Sequence, residues 1–110
     1  MKIKKMIIAE IGSTHDGSFA IAKKSIKVAS ESGADAVKFQ MHIAEEETLK
    51  NAPSPKYFKN EKRYEYFKRT AFNFNQWKIL FETCKKYKVE FLCSPFSARA
   101  VEVLEDLGVK

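Results

Sequence analysis

Cysteine, histidine, glycine and proline are scarce in this 110-residue chain, at two, two, four and three residues, and tryptophan occurs once. Cys84 and Cys93 cannot build a multi-bridge disulfide framework. Neither has a second Cys or a His at metal-ligand spacing, so both read as small buried hydrophobes. Long apolar runs are also missing. Stretches such as Met6 to Ala9 fall far short of the roughly 18 residues that a membrane-spanning helix needs, so no membrane segment is expected. Lys2, Lys4 and Lys5 precede a short apolar run, but Glu10 interrupts it and no small-residue cleavage site follows. The segment therefore does not read as a secretory signal, and the cytoplasm is the expected location.

What is present is a globular composition: 45% hydrophobic and 31% charged residues, with 20 Lys plus Arg against 14 Asp plus Glu, a net charge of +6. Disordered and fibrous classes are excluded. The charge is uneven. Between Lys50 and Arg69, Lys50, Lys56, Lys59, Lys62, Arg63, Lys68 and Arg69 face only Glu61 and Glu65, and the acidic run Glu45 to Glu47 lies just before them. With Tyr57, Phe58, Tyr64, Tyr66 and Phe67 interleaved, this segment could follow a phosphate backbone with stacking platforms. No recognised nucleic-acid module accompanies it, so the segment is read as a solvated connection and no nucleic-acid partner is expected.

Three strand-then-helix units follow one another. Met6 to Ile11 is a nearly continuous apolar run closed by Gly12, the pattern of a strand buried on both faces. Ser18 is a fair helix cap, followed by Phe19, Ala22, Ile26 and Ala29 at helical spacing and stopped by Gly33. Ala36 to Met41 alternates strictly. A long connection broken by Pro53 and Pro55, with a short helix near Lys62 to Lys68, runs to Asn73, a candidate cap for a stripe of Phe74, Trp77, Leu80, Phe81 and Cys84. Val89 to Ser94 is the third strand, ended by Pro95. Ser97 then caps a helix carrying Val101, Val103, Leu104 and Leu107, stopped by Gly108. Such alternation demands a parallel sheet, in one domain over 1–110, and no internal repeat is visible.

In a parallel sheet the strand-to-helix loops at the carboxyl ends build the site. Period-two alternation puts Val37, Phe39 and Met41 on the helix side and turns Lys38 and Gln40 away from it. The same parity pairs Ile8 with Glu10, and Leu92 with Ser94. If the sheet curls into a barrel, Glu10, Lys38, Gln40 and Ser94 all face its interior near the carboxyl mouth. A Lys and a Glu buried together are costly to desolvate and point to a site; a purely structural Lys38–Glu10 ion pair is the alternative.

Four motifs on these strand ends carry a resemblance. They are Ile8-Ala9-Glu10-Ile11-Gly12, Thr14-His15-Asp16-Gly17, Gly33-Ala34-Asp35-Ala36-Val37-Lys38-Phe39-Gln40 and Ser94-Pro95-Phe96-Ser97. In order and spacing they resemble the start of the N-acetylneuraminate (sialic acid) synthase family, over almost the whole chain. The resemblance implies a (β/α)₈ TIM barrel of which this chain supplies the first three βα units. It implies condensation of phosphoenolpyruvate with an N-acyl hexosamine into a nine-carbon 2-keto sugar acid, with release of phosphate. It further implies a divalent metal, Mn or Mg, with ligands outside this chain, a small C-terminal domain, and a homo-oligomer, a dimer, at full length. Lys38 and Ser94 would then contact phosphoenolpyruvate, and Glu10 and Gln40 the amino sugar, with Glu10 and Lys38 as the catalytic pair. His15 is read as first-loop architecture and His42 as loop-lining rather than as metal ligands, and Glu45 to Glu47 as a solvated loop. Thr14 departs from the Asn common before the first-loop His in the family.

A closed (β/α)₈ barrel takes about 250 residues, so the chain reads as a fragment that is inactive as a synthase and either poorly soluble or self-associated when expressed alone. Two other readings stay open at this point. One is a different phosphoenolpyruvate-dependent synthase acting on a sugar phosphate. The other is a small basic α/β module that binds an acidic partner. Within the first reading, the sequence leaves N-acetylneuraminate, legionaminate and pseudaminate as alternatives.

Overall fold

A computed structural model describes residues 5–58 and 60–110; the N-terminal Lys2 and Lys4, and Lys59 of the basic segment, lie outside the described residues. Three parallel strands, β1 (Ile8–Gly12), β2 (Ala36–Met41) and β3 (Glu90–Pro95), form one sheet in the order β1-β2-β3. Helix α1 (Phe19–Glu31) follows β1, α2 (Ala44–Glu47), α3 (Arg63–Thr70) and α4 (Phe74–Lys86) lie between β2 and β3, and α5 (Ala98–Leu107) follows β3. The α/β alternation and the parallel sheet are as the sequence predicts. No helix among the described residues is long and apolar enough to cross a membrane.

Local chemistry sets the boundaries. The hydroxyls of Ser18 and Ser97 accept from the amides of Ile21 and Ala100, satisfying N–H groups that a helix start would leave unpaired. Asn73 and Gln76 form a reciprocal capping box at the start of α4. Gly33 at φ +92° and Gly108 at φ +86° take the left-handed turn that ends α1 and α5.

Val37 and Phe39 on β2 are fully buried and Met41 nearly so, against Ile26 of α1 and Trp77, Leu80 and Cys84 of α4. The Phe39 ring stacks on Phe91 at 5.8 Å and meets Trp77 edge-on at 5.9 Å. Each large side chain buried in this way contributes roughly 1.5–3 kcal/mol. The core therefore lies on one face of the sheet.

Several boundaries and exposures differ from the sequence reading. β1 begins at Ile8; Met6 and Ile7 are exposed, and so are Ile8 and Glu10, while Ala9 and Ile11 pack on the core. The strand is thus covered on one face rather than two, because α1 and α4 lie on one side of the sheet only. β3 runs one residue later at each end, and Pro95 still pairs with Met41. Phe74 and Val101 sit in the predicted stripes but are exposed, whereas Trp77, Leu80 and Leu104 of the same stripes are buried. The acidic run is helical: Glu45 to Glu47 form α2, which packs Ala44 against Tyr64 and Phe67 of α3.

Candidate active site

Parity and register bring the four predicted residues to one surface. Glu10 is opposite Lys38 across β1 and β2, and Gln40 is opposite Ser94 across β2 and β3. All four are on the face turned away from the helices, toward the carboxyl ends of the strands. Lys38 Nζ is 3.7 Å from Glu10 Oε2, with side chains 41% and 52% exposed. The pair is not buried in this chain, since nothing covers that face among the described residues. An ion pair this wet contributes at most about 1 kcal/mol, which leaves both charges available to a ligand.

Between Glu10 and Gly12 the register of β1 shifts by one residue, a bulge that re-aims the strand end. Gly12 sits at φ +57°, and a Cβ there would lie 3.4 Å from Glu10 Oε1 and 3.6 Å from Gln40 Nε2. The carboxylate and the amide thus converge over a residue without a side chain.

The two histidines are both engaged. His15 is 2% exposed, its Nδ1 accepts from the Gly17 amide at 3.0 Å, and its ring lies 4.5 Å from that of Phe72. Burial lowers its pKa against the smaller opposing pull of Asp16. It holds the first loop, as expected. His42 lies between Phe67 and Phe96, with ring centroids at 4.1 and 4.2 Å, nearly parallel to both. Its Nδ1 is 2.6 Å from Glu47 Oε1 and its Nε2 3.0 Å from Gln40 Oε1. Glu47 Oε2 also accepts from the Ile43 amide at 3.1 Å. Glu47, read from sequence as part of a solvated loop, is 8% exposed at its side chain; its only advance signal was a carboxylate five residues after a histidine.

Among the described residues no three His, Cys, Asp or Glu side chains converge as a metal site. The divalent cation that the resemblance implies finds no ligand set among them, and no step below is assigned to it. Burial pushes both thiols, Cys84 and Cys93, up to about 12, which leaves them protonated and poor nucleophiles at neutral pH.

Two cations of the basic segment, Lys68 and Arg69, are engaged in structure. Lys68 pairs with Glu45. Arg69 donates to both Glu61 oxygens, to Asp16 Oδ1 at 3.0 Å and to the Asp16 carbonyl at 3.1 Å. The hydrogen bonds from Lys68 and Arg69 hold the Glu45 and Glu61 carboxyls below their ordinary range. Tyr64 and Phe67 are buried under α2 and so cannot act as stacking platforms.

A parallel α/β sheet with polar residues gathered at its strand ends defines a class of enzyme-like folds whose loops carry the chemistry. Comparison with known proteins narrows the class: residues 25–110 match the NeuB family model, and the chain belongs to that family. It is 34% identical over 112 residues to the N,N'-diacetyllegionaminic acid synthase of Campylobacter jejuni, covering 97% of this chain and 34% of that protein. To the pseudaminic acid synthase of Helicobacter pylori it is 32% identical over 107 residues, covering 93% and 32%. The fold matches the crystal structure of an N-acetylneuraminic acid synthetase from Leptospira borgpetersenii with a TM-score of 0.73 at 27% identity, over 94% of this chain and 33% of that one. The chain spans about a third of the length of the curated relatives it matches.

Proposed function

We propose that these residues form the phosphoenolpyruvate- and acceptor-binding wall of a sialic-acid-type synthase, the first three βα units of a (β/α)₈ barrel. The reaction joins phosphoenolpyruvate to an N-acyl hexosamine. The methylene carbon of the enol attacks the sugar aldehyde, so one C–C bond forms and positive charge is left at the enol carbon. Water adds there, and the tetrahedral centre breaks its C–O bond to expel phosphate, giving a nine-carbon 2-keto acid. The names of the relatives, all synthases of such acids or their phosphates where a product is named, support this reading.

The observation that carries it is the placement of Glu10, Lys38, Gln40 and Ser94 on the sheet face opposite the apolar core, at the strand ends. Lys38 supplies a cation to the carboxylate or phosphate of phosphoenolpyruvate, and Ser94 a hydroxyl donor beside it. Glu10 accepts from hydroxyls of the acceptor. The Gln40 amide, converging with it above Gly12, donates and accepts. Holding both substrates against one wall turns a two-body encounter into an oriented one.

The test is calorimetric titration of the complete enzyme carrying these residues with phosphoenolpyruvate, first as wild type and then as Lys38→Met and Glu10→Gln. Lys38→Met is expected to weaken binding about tenfold or more, the worth of a charge-assisted contact, and Glu10→Gln to change it little. Equal affinity in wild type and Lys38→Met would reject the assignment.

A further inference from the structure

Gln40 does not stand alone in the wall. Its Oε1 lies 3.0 Å from His42 Nε2, His42 Nδ1 lies 2.6 Å from Glu47 Oε1, and Glu47 Oε2 takes the Ile43 amide at 3.1 Å. In this placement the imidazole faces an oxygen at each nitrogen, and the Gln40 amide oxygen, which can only accept, takes its hydrogen bond from the Nε2 side of the ring. The ring cannot tilt, because Phe67 of α3 and Phe96 of the Ser94-Pro95-Phe96-Ser97 loop lie flat on its two faces. Both ends of this contact are shielded, with 11% exposure at His42 and 8% at Glu47, whereas the Lys38–Glu10 pair beside it is open to solvent in this chain.

The geometry points to Glu47 and His42 as positioning residues that hold the Gln40 amide with its oxygen turned inward and its N–H₂ presented beside Glu10 as a donor to an oxygen of the acceptor sugar. An amide free to turn would offer either end to the substrate. One whose oxygen is taken by a clamped imidazole offers only its nitrogen, and the ordering is complete before the substrate arrives. The buried carboxylate has a reason to be there: it anchors the ring at Nδ1 and so fixes the orientation in which Nε2 meets the Gln40 oxygen. The inference rests on the proposed contact between Gln40 and the acceptor.

The test is a kinetic cycle in the complete enzyme carrying these residues. His42→Asn keeps a donor where Nδ1 meets Glu47 and removes the donor to Gln40 together with the ring between Phe67 and Phe96. It is expected to raise the KM for the amino sugar about tenfold, the upper range of one hydrogen bond, with the KM for phosphoenolpyruvate within about twofold. In a Gln40→Ala background it is expected to add nothing. Equal rises in both KM values, or effects of His42→Asn and Gln40→Ala that multiply in full, would overturn the positioning role. Gln40→Ala with an unchanged acceptor KM would instead remove the assignment of Gln40 to the acceptor, and the role with it. If His42→Asn does not fold, Glu47→Asp, which withdraws the carboxylate by one methylene, is expected to give the same split, and a parallel rise in both KM values would again count against it.

Discussion

Glu10 and Lys38 face each other across β1 and β2 with 3.7 Å between carboxylate and ammonium, and solvent reaches both. In a wet pair of this kind each partner can be removed without stranding the other in a dry interior. Lys38→Met is expected to leave the complete enzyme folded while lowering kcat/KM for phosphoenolpyruvate about ten- to a hundredfold. Thermal unfolding alongside steady-state kinetics checks both halves. A variant that is destabilised but kinetically normal would make Lys38 a structural residue.

Gly17 and Gly33 share nearly the same backbone angle, φ +86° and +92°, but not the same surroundings. A Cβ on Gly17 would stand 2.8 Å from the Arg69 carbonyl oxygen, whereas one on Gly33 meets nothing within 4 Å. Gly33→Ala is expected to cost only the left-handed backbone penalty, about 1 kcal/mol. Gly17→Ala adds a backbone clash and is expected to cost at least about 2 kcal/mol in all. Denaturant midpoints of the two variants separate them, and equal losses would contradict the close approach of α3 to the first loop.

His15 titrates below its ordinary value because it is buried. On acidification the unfolded chain takes up this proton near pH 6.5, before the folded one does, so the unfolded state is favoured. The stability that the neutral ring contributes is complete above about pH 6.5 and is lost as the pH falls below that value. His15→Asn, which keeps an acceptor for the Gly17 amide and cannot titrate, is expected to flatten the dependence of stability on pH between about 5 and 7. An unchanged slope in that window would show that His15 is not its source.

Much of this arrangement was legible in the residues. Strict alternation in Ala36 to Met41, with Ser18, Asn73 and Ser97 before the three main helices, carries strand order and helix boundaries, because caps and period are local signals. The common face of Glu10, Lys38, Gln40 and Ser94 follows from the same period. Local pattern does not carry the segment between β2 and α4, where packing decides. Ala44 seats α2 on Tyr64 and Phe67, and that docking turns one member of an acidic run inward while Glu45 reaches out to Lys68. Glu45 and Glu47 are alike in sequence, and only the third dimension distinguishes the solvated carboxylate from the one buried against His42.

The most direct test of the account is to incubate the complete enzyme carrying these residues with phosphoenolpyruvate, a divalent metal salt and an N-acyl hexosamine, following phosphate release together with formation of a nine-carbon 2-keto acid by mass spectrometry. The account predicts one phosphate for each keto acid, both abolished when the amino sugar is left out and both reduced about ten- to a hundredfold in catalytic efficiency by Lys38→Met. Phosphate released without the sugar, or a keto acid formed at an undiminished rate by the Lys38→Met variant, would contradict it.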